Sequence, residues 1–178
     1  KTFALVGYTN VGKSSLFNRL TKSGIYAKDQ LFATLDTTAR RLYISPECSI
    51  ILTDTVGFVS DLPHKLISAF SATLEETAQA DVLLHVVDAA APNSGQQIED
   101  VENVLQEIHA GDIPCIKVYN KTDLLPSEEQ NMGIWRDAAG KIATVRISVA
   151  ENTGIDALRE AIAEYCAAAP NTDETEMP

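Results

Sequence analysis

Apolar positions along this chain follow two rhythms. The runs TFALVGY, RRLYIS, SIILTDT, DVLLHVVDA, CIKVYNK and TVRIS read as strands. Several are continuously apolar and rich in Val, Ile and Leu, as strands covered on both faces should be. Between them the period lengthens to that of a helix. From Gly95 to Ala110, Ile98, Val101, Leu105 and Ile108 share one face, while Gln96, Glu99, Asp100, Glu102 and Glu107 lie elsewhere. From Thr153, Ile155, Leu158, Ile162 and Tyr165 repeat the pattern. Strands alternating with helices predict an α/β domain with a six-stranded, mostly parallel sheet and helices on both faces. RRLYISPECSIILTDT breaks the alternation. Its two runs are separated only by a short Ser-Pro-Glu-Cys turn, so they should pair as an antiparallel hairpin at one edge.

The 178 residues suit one well-buried domain. Residues 1–169 are expected to form it, with PNTDETEM and the final proline as a polar, disordered tail over 170–178. The start, KTFALVGY, has no initiator Met and reads as a domain cut from a longer protein. No apolar run is long enough to span a bilayer, so no membrane partner is expected. The net charge of −11 argues against a broad basic face for DNA or RNA. Cys48, Cys115 and Cys166 are odd in number and widely spaced, which suits buried reduced thiols in a cytoplasmic protein rather than a disulfide or metal site.

Chemistry enters at the end of the first run. GYTNVGKSS, Gly7, Tyr8, Thr9, Asn10, Val11, Gly12, Lys13, Ser14 and Ser15, satisfies G-x-x-x-x-G-K-[ST] between a strand and the helical SLFNRL. Glycines let backbone N–H groups turn inward around phosphates, with a helix N-terminus behind them. Lys13 then neutralises β- and γ-phosphate charge, and the Ser14 hydroxyl ligates Mg²⁺. A second strand ends in DTVG, Asp54, Thr55, Val56 and Gly57. Downstream of such a loop, Asp54 suits a magnesium site reached through water, and the Gly57 N–H suits a γ-phosphate contact.

NKTD supplies Asn120, Lys121 and Asp123 at another strand end. A carboxylate there accepts from the two adjacent N–H donors of guanine, a pattern adenine lacks, and Lys121 lays its aliphatic stem over the purine. Ser148, Val149 and Ala150 end the last strand where backbone N–H groups reach the guanine O6. In this order along one sheet edge, these elements predict a GTP- and GDP-binding domain.

The whole arrangement resembles the Ras-like P-loop G domain, and its hairpin fits that fold's one antiparallel edge strand. GYTNVGKSSLFNRLT, DQLFATLDTTARR, LTDTVGFVSDLPHKLISAFSATLEET and NKTDLL together resemble the GTPase domain of the HflX family, in the Obg–HflX group of translation-associated GTPases. The resemblance runs from Phe3 to Ala168, and LPHKLISAFSATLEET is its most specific part. It implies that Phe32, Ala33, Thr34, Leu35 and Asp36 form switch I, with Thr34 closing on magnesium and γ-phosphate. Thr37 and Thr38 are rival hydroxyls. Thr37 stands where the family commonly has proline, and SVA stands where its guanine loop begins Ser-Ala. The resemblance further implies a slow, monomeric GTPase, with Lys13, Thr34 and Gly57 as its catalytic groups, that binds the large ribosomal subunit mainly through segments outside this chain, or through a local patch within it, and splits stalled or idle ribosomes under stress.

Phe58 follows Gly57 where many G proteins place a water-orienting glutamine, and its ring has no hydrogen-bonding group. Water must then be held by a Thr34 carbonyl, a partner's residue or an ion. Asn10 matches a P-loop asparagine that in related GTPases helps bind K⁺; otherwise it is a turn residue. His64 is read as a loop residue rather than a base, since phosphoryl transfer needs no strong base. His85 is read as a core histidine, His109 as an exposed helix end, Asp88 as a cap, and Trp135 as a packing residue on a helix. The alternatives are a binding module with negligible hydrolysis, an Obg-, Era- or MnmE-like GTPase of ribosome assembly or RNA modification, or an ATP-using enzyme, which NKTD disfavours.

Overall fold

The computed structural model describes residues 1–8, 10–21, 38–54 and 77–168. Seven strands form one sheet: β1 Thr2–Gly7, β2 Thr38–Ser45, β3 Cys48–Asp54, β4 Val82–Asp88, β5 Cys115–Asn120, β6 Gly133–Arg136 and β7 Ile142–Arg146. Their spatial order is β2-β3-β1-β4-β5-β7-β6. The helices are α1 Lys13–Thr21, α2 Ser94–Glu107 and α3 Ile155–Ala168.

The central strands β1, β3, β4, β5 and β7 run parallel, and the expected β2–β3 hairpin closes one edge, with Leu42 opposite Ile50. Alternation along β1 divides the core. Phe3 and Leu5 pack with Leu16, Phe17, Leu158 and Ile162 of α1 and α3. Ala4 and Val6 pack with Val101, Val104 and Leu105 of α2 on the other side. All of these are nearly or fully buried. Each large aliphatic or aromatic side chain removed from water contributes about 1.5–3 kcal/mol, so both faces must stay covered.

The sheet has seven strands rather than six. The extra strand is β6, which pairs antiparallel with β7 and makes the second edge antiparallel as well. GIWR is only four residues long and at most half-buried. So short an exposed edge strand carries no legible hydrophobic period. Trp135 therefore lies on a strand, not a helix, 41% exposed, with the Arg146 guanidinium 5.7 Å from its ring centre. The turn after β6 has a clearer cause. Asp137 Oδ1 accepts from the Ala139 and Lys141 N–H groups at 2.9 and 3.0 Å, and Gly140 takes φ +82°. Arg136 makes a forked ion pair with Glu164 at 2.6 and 2.8 Å, tying this edge to α3.

Of the cysteines, Cys48 is buried, whereas Cys115 and Cys166 are half-buried, and all are free thiols. Burial pushes the Cys115 thiol up to about 11, and burial with a hydrogen bond to Cys48 does the same for Cys166. His109 is exposed, just beyond α2, with φ +62°. His64 and the expected tail lie outside the described residues.

His85 is a core histidine, 2% exposed on β4. Burial, then the nearby Lys117 charge, lowers its pKa to about 4 from 6.5. Lys117 is itself paired with Glu102 at 3.3 Å. The unfolded chain takes up this proton as pH falls through 6.5, the folded chain only near 4. His85 thus contributes full stability above 6.5 and loses it between 6.5 and 4, in total about 3 kcal/mol. Urea midpoints followed from pH 7 to 4 should fall less steeply in His85→Gln than in the parent chain. Parallel curves would exclude His85 as a source of acid lability.

Candidate functional site

The strand ends of β1, β3, β5 and β7 point to one edge of the sheet, the position where ligands bind in open α/β folds. The loop after β1 passes close beneath its neighbours. A Cβ on Gly7 would lie 2.7 Å from the Val86 carbonyl oxygen, and one on Gly12, where φ is +94°, would overlap the Asn120 side-chain nitrogen. Both positions require glycine for these physical reasons. Tyr8 is half-buried against the core, Asn10 is exposed with φ +65°, and Val11 is buried. Lys13, Ser14 and the half-buried Ser15 form the first turn of α1, where the Leu16 N–H donates to the Gly12 carbonyl at 2.9 Å.

At the end of β3, Asp54 is 4% exposed and joins both P-loop side chains. The Lys13 ammonium lies 2.7 Å from Oδ1, and the Ser14 hydroxyl donates to Oδ2 at 3.3 Å. A buried lysine–carboxylate pair is tolerated because each charge compensates the other. Thr38, one of the rival hydroxyl residues, opens β2 opposite Asp54 in the ladder.

Asn120 braces the two halves of the site. Its carboxamide nitrogen donates to the Val11 carbonyl at 3.0 Å, and its oxygen accepts the Val149 N–H at 3.1 Å. The phosphate loop is thereby tied to the loop after β7. Lys121, at φ +64°, reaches the Asn10 carbonyl at 2.6 Å and Asp88 Oδ2 at 3.3 Å. A left-handed lysine costs on the order of 1 kcal/mol, a strain typical of functional turns. Asp88 also accepts the Ala90 N–H at 2.9 Å, so its cap role is joined by an ion pair that nothing in its local sequence signals.

Asp123 sits in the helical turn Thr122–Leu124 and accepts from the buried Ser148 hydroxyl at 2.7 Å. That bond leaves its second oxygen outside the interaction and fixes the carboxylate's orientation. The loop after β7 differs from expectation in one respect. The Ser148 N–H is taken by the Thr153 carbonyl at 2.9 Å, and the Val149 N–H by Asn120. Of these three residues, the exposed Ala150 alone keeps a backbone donor not engaged among the described residues. Arg19, which sequence reasoning passed over, donates to the Val149 carbonyl at 3.3 Å from α1. Thr9, Phe32, Ala33, Thr34, Leu35, Asp36, Thr37, Thr55, Val56, Gly57 and Phe58 lie outside the described residues.

The site therefore sets a cation, a carboxylate and a hydroxyl at one end and an oriented carboxylate at the other. A hard divalent cation such as Mg²⁺ prefers oxygen ligands and commonly takes one or two from protein, the rest from water and phosphate. Ser14 and Asp54 are oxygen donors of that kind, and they lie within hydrogen-bond reach of each other. Among the described residues no group of three or more His, Cys, Asp or Glu could hold a metal by itself.

Comparison with known proteins gives the family and the fold. Residues 2–121 match the family described as 50S ribosome-binding GTPase. GTPase HflX of Escherichia coli K12 is 49% identical over 163 residues, covering 92% of this chain and 38% of that protein. GTPase HflX of Caldanaerobacter subterraneus subsp. tengcongensis is 49% identical over 159 residues, covering 89% and 35%. The chain thus spans under two fifths of these relatives. Among solved structures, a GTP-binding protein from Sulfolobus solfataricus in complex with GDP superposes with a TM-score of 0.70 at 26% identity, covering 93% of this chain and 52% of that one. NFeoB from S. thermophilus, bound to GDP.AlF4- and K+, shares the fold at a TM-score of 0.67 and 21% identity, covering 94% and 61%. With its Lys13–Asp54–Ser14 cluster and its Asn120 brace, the chain belongs to the 50S ribosome-binding GTPase family and is a GTPase domain of the HflX type.

Proposed function

We propose that this domain, over residues 1–169, is a slow GTP-hydrolysing switch that acts on the large ribosomal subunit in the cytoplasm and helps split stalled or idle ribosomes. The observation that carries the reading is the Asn120 brace, which holds the phosphate loop and the guanine loop on one framework. Such a frame positions both ends of one nucleotide, and positioning is most of what phosphoryl transfer asks of a protein.

In this reading Lys13 pairs with the β- and γ-phosphates, and the loop's N–H groups and α1 complete the cradle. Ser14, Thr34 and Asp54 are the residues that would hold Mg²⁺, which when bound would supply charge neutralisation at the phosphates. Asp123 accepts from the guanine edge, Lys121 covers the ring, and the Ala150 N–H is the donor available to O6. Gly57 senses the γ-phosphate. Bound GTP orders the two switch segments, and hydrolysis releases them.

Phe58 cannot orient water, so turnover depends on a group supplied from elsewhere. Asn10 supports an ion in that role. Its side chain makes no hydrogen bond among the described residues, and only its carbonyl is engaged, by Lys121. K⁺ beside it would act as a fixed positive charge on the phosphates.

The test is GTP turnover by the full-length protein with and without isolated large ribosomal subunits, in potassium and in sodium buffers. Turnover should rise at least about 100-fold with subunits, the scale of a positioned catalytic group. No rise would replace the switch by the second reading, a nucleotide-dependent binding module, which Phe58 favours. Equal rates in the two buffers would remove the role of Asn10 while leaving the rest.

A further inference from the structure

We infer that the shallow groove between β2, the end of α1 and the start of α3 is a docking surface for the phosphodiester backbone of RNA. The inference rests on the ribosomal reading above and names where in this domain such contact is made. The groove holds about 580 Å³ and is lined by Arg19, Arg41, Tyr43, Asn152, Asp156 and Arg159, among others.

Charge is what distinguishes this place. The chain carries 14 Lys and Arg against 25 Asp and Glu. A surface so acidic repels phosphate at long range, so RNA can be gripped only where cations are concentrated locally. Three arginines meet at this groove from three separate elements. Ion pairs among the described residues engage Lys13, Lys117, Lys121 and Arg136, and none engages an arginine of the groove. Among the described residues, Asp156 is the one carboxylate in the lining.

The guanidinium groups are held but not exhausted. Arg159 donates to the Tyr43 carbonyl at 2.6 Å, and Arg19 donates to the Val149 carbonyl at 3.3 Å. Each has five N–H donors, so most remain for a ligand. The Arg41 side chain makes no hydrogen bond or ion pair among the described residues. Planar guanidinium forks match phosphate oxygens two by two, which favours this chemistry over a lone ammonium. Tyr43 is 67% exposed at the groove, an aromatic surface on which an unpaired base can stack. Guanidinium forks beside an exposed ring suit the phosphates and unpaired bases of RNA together.

The groove also touches the nucleotide site. Arg19 binds the carbonyl of the residue whose N–H Asn120 holds. RNA drawn onto Arg19 would pull on the loop that frames the base, which links docking to nucleotide affinity without a separate relay.

The experiment measures binding of the full-length protein, loaded with a non-hydrolysable GTP analogue, to isolated large ribosomal subunits across a salt series. Arg41→Gln breaks no side-chain hydrogen bond or ion pair among the described residues; Arg41→Gln with Arg159→Gln is the stronger variant, with its fold checked by thermal melting. Each lost phosphate contact should lower the slope of log K against log salt by about 0.7–0.9. The single variant should bind several-fold more weakly and the double variant about tenfold or more. Unchanged affinity and slope in both variants would overturn the groove and leave the ribosomal reading standing. Weaker binding with an unchanged slope would overturn RNA as the partner and point to a protein surface. If the parent protein does not bind subunits at all, the ribosomal reading fails first, and this inference with it.

Discussion

Lys13→Ala should lose GDP and GTP binding by at least about 100-fold and, separately, lower the stability of the nucleotide-free chain. The first effect follows from the loss of charge-assisted hydrogen bonds to phosphate, each worth about 1.5–3 kcal/mol. The second follows from the structure. Lys13 and Asp54 side chains are 8% and 5% exposed and 2.7 Å apart. Removing the ammonium leaves a buried carboxylate without its cation, and breaking a buried pair in this way typically costs about 3–5 kcal/mol. In a chain of this length that corresponds to a melting temperature lower by about 10 °C. The two effects are separable. Lys13→Ala combined with Asp54→Ala removes both charges, so it should regain much of the stability while still failing to bind nucleotide. Isothermal titration with GDP and melting in chelator would report both quantities. Lys13→Ala that binds GDP as tightly as the parent would contradict the phosphate role.

Asn120→Ala should be the most damaging change among residues that need not touch a phosphate. The carboxamide satisfies the Val11 carbonyl and the Val149 N–H, and Val11 and Val149 are 1% and 6% exposed. Each buried backbone group left unpaired costs about 1–3 kcal/mol, so the total is about 2–6 kcal/mol. The melting temperature should fall by about 5–15 °C. Nucleotide affinity should fall as well, by about tenfold or more, because the two loops lose their common reference and binding must order them. Asn120→Asp separates the two bonds: it keeps an acceptor for the Val149 N–H but turns an oxygen toward the Val11 carbonyl. Urea unfolding of the three chains gives the comparison. If Asn120→Ala stays within about 0.5 kcal/mol of the parent, as an ordinary surface change would, the bracing account is wrong.

These two positions differ in how they were legible. Lys13 belongs to a motif because a phosphate cradle is built by consecutive residues; the covalent chain alone sets their spacing. Asn120 was legible as part of NKTD for the same reason, but its bonds to Val11 and Val149 were not. Those partners are 109 and 29 residues away. The loop after β7 shows the difference most clearly. Three backbone donors at Ser148, Val149 and Ala150 look equivalent in sequence, yet two are taken by Thr153 and Asn120. Trp135 erred in the other direction. A four-residue edge strand has no period to read, and its identity comes from β7 lying beside it.

By itself the sequence determined the phosphate loop, the acid at the end of β3, the NKTD turn and six of the seven strands. Each is a local matter: adjacent residues forming a turn, or an apolar run that must be covered on both sides. The tertiary structure alone decided which donors remain free, why Gly12 must be glycine, what orients Asp123, and that Arg19, Arg41 and Arg159 meet in one groove. These depend on atoms brought together from distant elements by sheet order, and no spacing along the chain encodes the distance between them.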